Sequence, residues 1–271
     1  SFWIFLNAIM DRVYWSTGQF VLGAVSGTIA VSVFAVAIQL EHLYMQFSTS
    51  ISGVFLPKVT SMVALQNNEK EISDLFIKVG RIQNIVMSFI LFAFIVFGKP
   101  FVILWAGEEY EEAYVMTLLF FIALYIPLIQ NLGITILQAR NQMKFRSILY
   151  IVIATVAFVL QVIFAKKWGG IGCAYAISGA LLLGQGLIMN IYYQKKQHID
   201  ILSFWTNIVK MSIAPVIITI VAYYLVSNYI ETSWIGLIKG IVAFVIIYPP
   251  IIYLFSMNTN ERKLLLQPKK K

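Results

Sequence analysis

Eight stretches of this chain each run for about twenty residues with hardly a charge, and that repetition decides what the chain can become. They lie at 2–22, 28–56, 82–104, 113–137, 148–165, 170–193, 209–228 and 234–256. A helix needs ~20 predominantly apolar residues to cross the hydrocarbon core of a bilayer. The sequence therefore predicts an all-α fold, a polytopic membrane bundle of eight transmembrane helices. Charge content agrees: 12% of the residues are charged and 60% are hydrophobic, whereas a soluble domain carries about 25% charged residues. So few charges cannot clothe a soluble core.

The connections between these stretches are short. The longest, at 57–81, places Ile72, Leu75, Phe76 and Val79 at helical spacing among charges, which predicts a short amphipathic helix on the membrane surface. Lysine and arginine orient the chain, because cytoplasmic loops carry an excess of them. Alternate connections and the tail hold 15 basic residues, from Lys58 to Lys271, and the opposite set holds 4: Lys99, Lys166, Lys167 and Lys239. Four glutamates, Glu108, Glu109, Glu111 and Glu112, lie on that lysine-poor side. Both ends are thereby expected in the cytoplasm. The net charge of +8 is accounted for by orientation near anionic lipid, without a nucleic-acid partner. The sequence starts at Ser1 with neither a basic n-region nor a cleavage site, and an internal piece of a longer protein is expected.

Against this background two pairs of charges stand out. Asp11 and Arg12 lie inside the first stretch, and Glu41 and His42 lie at the middle of the second. A charge at the bilayer centre costs at least ~2.5–3.5 kcal/mol, so such residues face a protein interior or a water-filled cavity. Glu41, Tyr44, Ser48 and Ser52 share one helical face, and His42, Gln46, Thr49 and Gly53 form the adjacent stripe. Taking the hairpin to turn near Ser26, Asp11 and Glu41 are each 15 residues from it, hence at similar depth. Arg12 is then expected to meet Glu41, and Asp11 a protonated His42. Two readings stay open: ion pairs that set the register of the hairpin, and an ion-binding site in an aqueous path.

Milder irregularities occur elsewhere. Pro127 is followed by Gln130, Asn131 and Gly133, where a proline kink frees a carbonyl that amides can satisfy or that can line a cavity. Gly172, Ala176, Ala180 and Gly184 recur every four residues, a small-residue seam for close helix contact. Pro215 and the Pro249–Pro250 pair are expected to kink or end their helices. The single Cys173 excludes an intrachain disulfide, two distant histidines make no metal cluster, and no catalytic motif is present. The chain is not expected to be an enzyme, to hold a metal, or to need a cofactor.

Several stretches together carry a family resemblance: "STGQFVLGAVSGTIAVSVFAVAIQL", "SGVFLPKVTSM", "LWAGEEYEEAY", "ILQARNQMKF" and "WGGIGCAYAISGAL", in this order. The chain resembles the C-terminal half of polysaccharide flippases of the MATE-like (MOP) exporter superfamily, the Wzx type of bacterial O-antigen and capsule pathways. The resemblance implies helices seven to fourteen of a fourteen-helix transporter. Residues 1–193 would form a six-helix lobe, with 57–81 as its cytoplasmic link, and 194–271 two extra helices with a basic tail. It further implies translocation of undecaprenyl-diphosphate-linked oligosaccharide from the cytoplasmic to the outer leaflet of the bacterial inner membrane by alternating access. The implied partners are that lipid-linked oligosaccharide, membrane lipids and the missing N-terminal lobe; the drive would be sodium, protons or membrane potential. Arg12 is the implied partner of the diphosphate, with Arg81 and Arg140 beside the cytoplasmic mouth. The alternatives are a cation-coupled multidrug antiporter and, from another class, a multi-span envelope polymerase or acyltransferase.

Overall fold

A computed structural model describes residues 2–65, 68–229, 232–259 and 261–262. Those residues are almost wholly helical and contain no strand. Helices α1 (Phe2–Val25), α2 (Gly27–Val54), α3 (Leu56–Ala64) and α4 (Glu69–Ala106) come first. A single 3-10 turn leads into α5 (Glu111–Ile129), followed by α6 (Leu132–Ala139) and α7 (Lys144–Leu181). A π-helical segment, Leu182–Ile188, joins α7 to α8 (Met189–Lys196), and α9 (Ile201–Tyr229) and α10 (Trp234–Ile251) complete the order.

Among the described residues six helices are long and apolar enough to cross a membrane. Two differences separate this from the eight expected spans. Helix α1 is continuous over its 24 residues, but Asn7, Asp11, Arg12 and Gln19 dilute its apolar character, and it is not one of the six. Lys144–Lys196 counts once among the six, although this run holds two helices that meet at Gly169, between the predicted spans 148–165 and 170–193. Within that run Gly169 adopts φ 55° and ψ −134°, a conformation open to glycine, and the helix axis breaks there.

The predicted surface helix takes a different form. Residues 69–81 are the first turns of α4, whose 38 residues extend about 57 Å, well beyond the ~30 Å of hydrocarbon. Their apolar stripe, Ile72, Leu75, Phe76 and Val79, is buried against protein. Phe76 packs on Tyr193 and Phe204, and Gly80 passes so close to Phe204 and the Ile129 carbonyl that a Cβ would meet the ring at 2.4 Å. Hydrophobic periodicity reports that a face is covered, and here the cover is α8 and α9 where lipid was expected.

Helix α5 is the centre of the bundle, in contact with α2, α4 and α7. Its end after Pro127 is a true break: the chain turns at Gln130 and Asn131 and resumes as α6. The carbonyl of Leu128 at this break accepts the Asn131 backbone amide at 3.3 Å and the Ser48 hydroxyl at 2.7 Å, which ties α2 to the break. The small-residue seam of α7 is buried along Gly172, Ala176, Ala180 and Gly184, and a Cβ on Gly184 would meet Ile153 at 2.4 Å. Pro215 lies within α9 and Pro249–Pro250 near the end of α10, just before a π-helical turn. Helix α10 packs on α4 through a separate apolar cluster built on Phe97, Phe244 and Tyr248.

Candidate functional site

The predicted polar face of α2 is buried as a unit: Glu41, Tyr44, Ser48 and Ser52 are all inaccessible. Three of the four are satisfied. The Tyr44 hydroxyl donates to the Met87 carbonyl at 3.1 Å, Ser48 donates to Leu128, and Ser52 accepts from Gln83 at 2.6 Å. Glu41, 0% exposed, has no hydrogen bond to either oxygen, and its Oε2 stands 3.3 Å from His42 Nδ1, an ion-pair distance when the imidazole is protonated. The adjacent stripe is open, with His42 51% exposed and Gln46, Thr49 and Gly53 exposed as well.

That open stripe faces α1 across a cleft of two adjoining chambers. The outer one, about 490 Å³, is lined by Asp11, Arg12, Trp15, Ser16, Gln19, Ile38 and His42. The inner one, about 280 Å³, shares Asp11 and Trp15 and continues between α5, α6 and α7 to Asn131, Arg146, Tyr150 and Gln185. Asp11 is held at the boundary by the Tyr150 hydroxyl, which donates to Oδ1 at 2.6 Å. Tyr150 in turn stacks on Tyr14, whose hydroxyl donates to the Ile177 carbonyl, so the boundary rests on a fixed aromatic frame.

The two ion pairs expected across the hairpin are not formed: no ion pair joins Arg12 to Glu41 or Asp11 to His42 among the described residues. Equal distance from a turn fixes depth but not azimuth, and neighbouring residues on a helix point about 100° apart. Asp11 therefore turns to α7 while Arg12 and His42 line the outer chamber. Arg12 is the one predicted diphosphate partner that lines the cleft.

The other two are tied up elsewhere. Arg81 is buried and forks onto Glu261, with Nε to Oε1 at 2.6 Å and an Nη to Oε2 at 2.9 Å. It also donates to Asn207 and to the Ser256 carbonyl. Arg140 is bound to Glu69 and donates to the backbone and side chain of Gln197 at 3.2 and 3.1 Å. Gln130 pairs reciprocally with Asn190, at 2.8 and 3.1 Å, and Asn190 also accepts from the Trp205 indole. Gln130 thus joins α5 to α8 and α9 and lines neither chamber. Asn131 does line the inner chamber, and it donates to Ser48 at 3.1 Å.

The residue that sequence reasoning missed is Arg146. Grouped with the basic connection at 140–146, it instead sits 9% exposed in the inner chamber. One of its Nη atoms donates to Asn7 Oδ1 at 2.5 Å, and its guanidinium lies 5.7 Å from the Tyr150 ring centroid. A signal existed: Arg146, Tyr150, Ile153, Ala157 and Gln161 recur on one helical face, and all five are buried. No group of acidic, histidine or cysteine side chains suited to a metal occurs among the described residues.

The outer chamber lies wholly within the part of the chain that matches a family model, and most of the inner chamber's lining lies beyond it. The first 115 residues match the family model described as polysaccharide biosynthesis protein. The match takes in α1, α2, α3 and α4, and with them Asp11, Arg12, Glu41 and His42. Comparison with curated proteins and with solved structures gave no match.

Proposed function

We propose that the chain is the C-terminal portion of a membrane flippase that carries undecaprenyl-diphosphate-linked oligosaccharide from the cytoplasmic to the outer leaflet of a bacterial inner membrane. The observation that carries this reading is a coincidence of position. The stretch similar to polysaccharide biosynthesis proteins contains the two helices that wall a charged cleft in a bundle of membrane-crossing length. Alternating access uses such a cleft as one wall, with a facing lobe from the preceding part of the protein closing it. Arg12 reaches into the outer chamber as the cation for the diphosphate, and the chain moves its cargo without making or breaking bonds. The excess of basic residues on one side supports a cytoplasmic position for both ends.

The buried Glu41 beside the cleft-lining His42 favours proton coupling within this mechanism. The Glu41 carboxyl group is buried with no hydrogen bond to either oxygen, and the imidazole next to it is open to the cleft. The test is export of surface polysaccharide by a flippase-deficient strain supplied with the full-length protein. Arg12→Gln lowers export at least tenfold with normal membrane levels. Full export with Arg12→Gln removes the outer chamber from the transport path. A change in drug tolerance with no effect on surface polysaccharide establishes the multidrug antiporter in its place.

A further inference from the structure

At the lysine-poor end, Lys99 borders a pocket that has no part in the charged cleft. The pocket, about 190 Å³, opens between α4, the first turn of α5, the last turns of α9 and the start of α10, and it shares no residue with either chamber. Its inner side is apolar, with Val96, Phe97 and Leu237 all buried, while Lys99, Tyr223, Ser227 and Thr232 stand exposed at its rim. Lys99 Nζ lies 2.7 Å from Glu111 Oε1, and both side chains are about half exposed. Phe97 and Val226 belong also to an apolar trench of about 390 Å³ between α9 and α10, so pocket and trench adjoin. Small side chains at Ala222, Gly240 and Ala243 leave this space between the two helices. Along α9 the trench runs from Val226 to Ile217, about 14 Å. One leaflet's share of the hydrocarbon is ~15 Å.

A polar pocket above an apolar trench one leaflet deep has the shape of a membrane lipid, and the charges select its headgroup. Lys99 and Glu111 cancel one another, and Glu108, Glu109 and Glu112 lie at the same end. A headgroup with net negative charge meets repulsion there. A phosphoethanolamine headgroup carries one charge of each sign and matches the pair, phosphate to ammonium and ammonium to carboxylate. We propose that pocket and trench form one binding site for phosphatidylethanolamine, with its phosphate on Lys99 and the hydroxyls of Tyr223 and Thr232, its ammonium on Glu111, and one acyl chain between α9 and α10. The lipid then joins α9 and α10 to α4 at the lysine-poor end, as the Arg81–Glu261 pair joins them at the other. The trench has the depth of an acyl chain, and a long polyprenyl chain overruns it. The site is separate from the transport path proposed above and does not rest on it.

The test is native mass spectrometry of the purified 271-residue chain released from micelles that hold equal amounts of phosphatidylethanolamine, phosphatidylglycerol and undecaprenyl phosphate. Phosphatidylethanolamine is retained at least fivefold over either of the others. Glu111→Gln removes the partner of the ammonium and frees Lys99, so the preference shifts at least fivefold towards phosphatidylglycerol. Ala243→Leu fills the trench and lowers retention of every lipid at least fivefold. Glu111 is half exposed, so its change leaves the packing intact and decides the matter even where Ala243→Leu fails to fold. Equal retention of the two phospholipids, as for lipid that merely coats the protein, overturns the site. So does a preference unchanged in Glu111→Gln, or retention unchanged in a folded Ala243→Leu. Preference for undecaprenyl phosphate overturns it as well and assigns the trench to the cargo.

Discussion

Arg81 separates two accounts of the basic residues at the lysine-rich end, because a cation for a substrate and a cation that pins a fold respond differently to removal of their partner. Its guanidinium makes two short bonds to Glu261 and two more to Asn207 and Ser256, and both members of the pair are less than 10% exposed. Glu261 is itself fixed by the amide of Asn258, so the pair ties the chain beyond α10 to α4 and α9. Removing one member leaves a buried charge without compensation, which costs about 3–5 kcal/mol. Arg81→Ala is expected at the upper end, since Glu261 retains only one backbone donor. Glu261→Ala is expected lower, because Asn207 and the Ser256 carbonyl still hold the guanidinium. The double variant removes both charges, so its loss falls short of the summed single losses by roughly 2 kcal/mol or more. Reversible unfolding in mixed micelles measures all three. Additivity within ~0.5 kcal/mol refutes the latch. The Arg140–Glu69 pair supplies the contrast: Glu69 is 51% exposed, and a pair open to solvent contributes about 0–1 kcal/mol. If the stable double variant Arg81→Met, Glu261→Leu exports polysaccharide normally, Arg81 has no part in holding cargo.

Two further outcomes are expected. Gly169→Ala forces a residue with a Cβ into φ 55°, ψ −134° and is expected to cost about 1–3 kcal/mol, wholly from backbone strain, since no neighbour lies within 4 Å of the added carbon; an unchanged unfolding midpoint refutes the strain. Cysteines placed at Tyr110 and Asn141 are expected to react with an impermeant thiol reagent from outside and from the cytoplasm respectively, with Cys173 silent because it is buried; the reverse pattern inverts the topology.

Depth and burial were legible in the sequence to different degrees, for a physical reason. Period and composition carry burial well: the Glu41, Tyr44, Ser48 and Ser52 face is buried and its neighbouring stripe is open, as the 3.6-residue repeat requires. The repeat does not say what does the burying. The stripe from Ile72 to Val79 reads the same whether lipid or α9 covers it, and Arg146 reads as a loop charge until Asn7, 139 positions away, is brought against it. Partner choice is a long-range property, so arginines of one type divide into unlike roles. Glu261 captures Arg81, Glu69 captures Arg140, and Arg12 and Arg146 remain to face the cleft. The division follows from where acids lie. Glu261 and Glu69 are brought against arginines at the lysine-rich end, while the one carboxylate that lines the cleft, Asp11, is engaged by Tyr150. A cleft that keeps two guanidiniums apart from its single acid retains positive charge along its length.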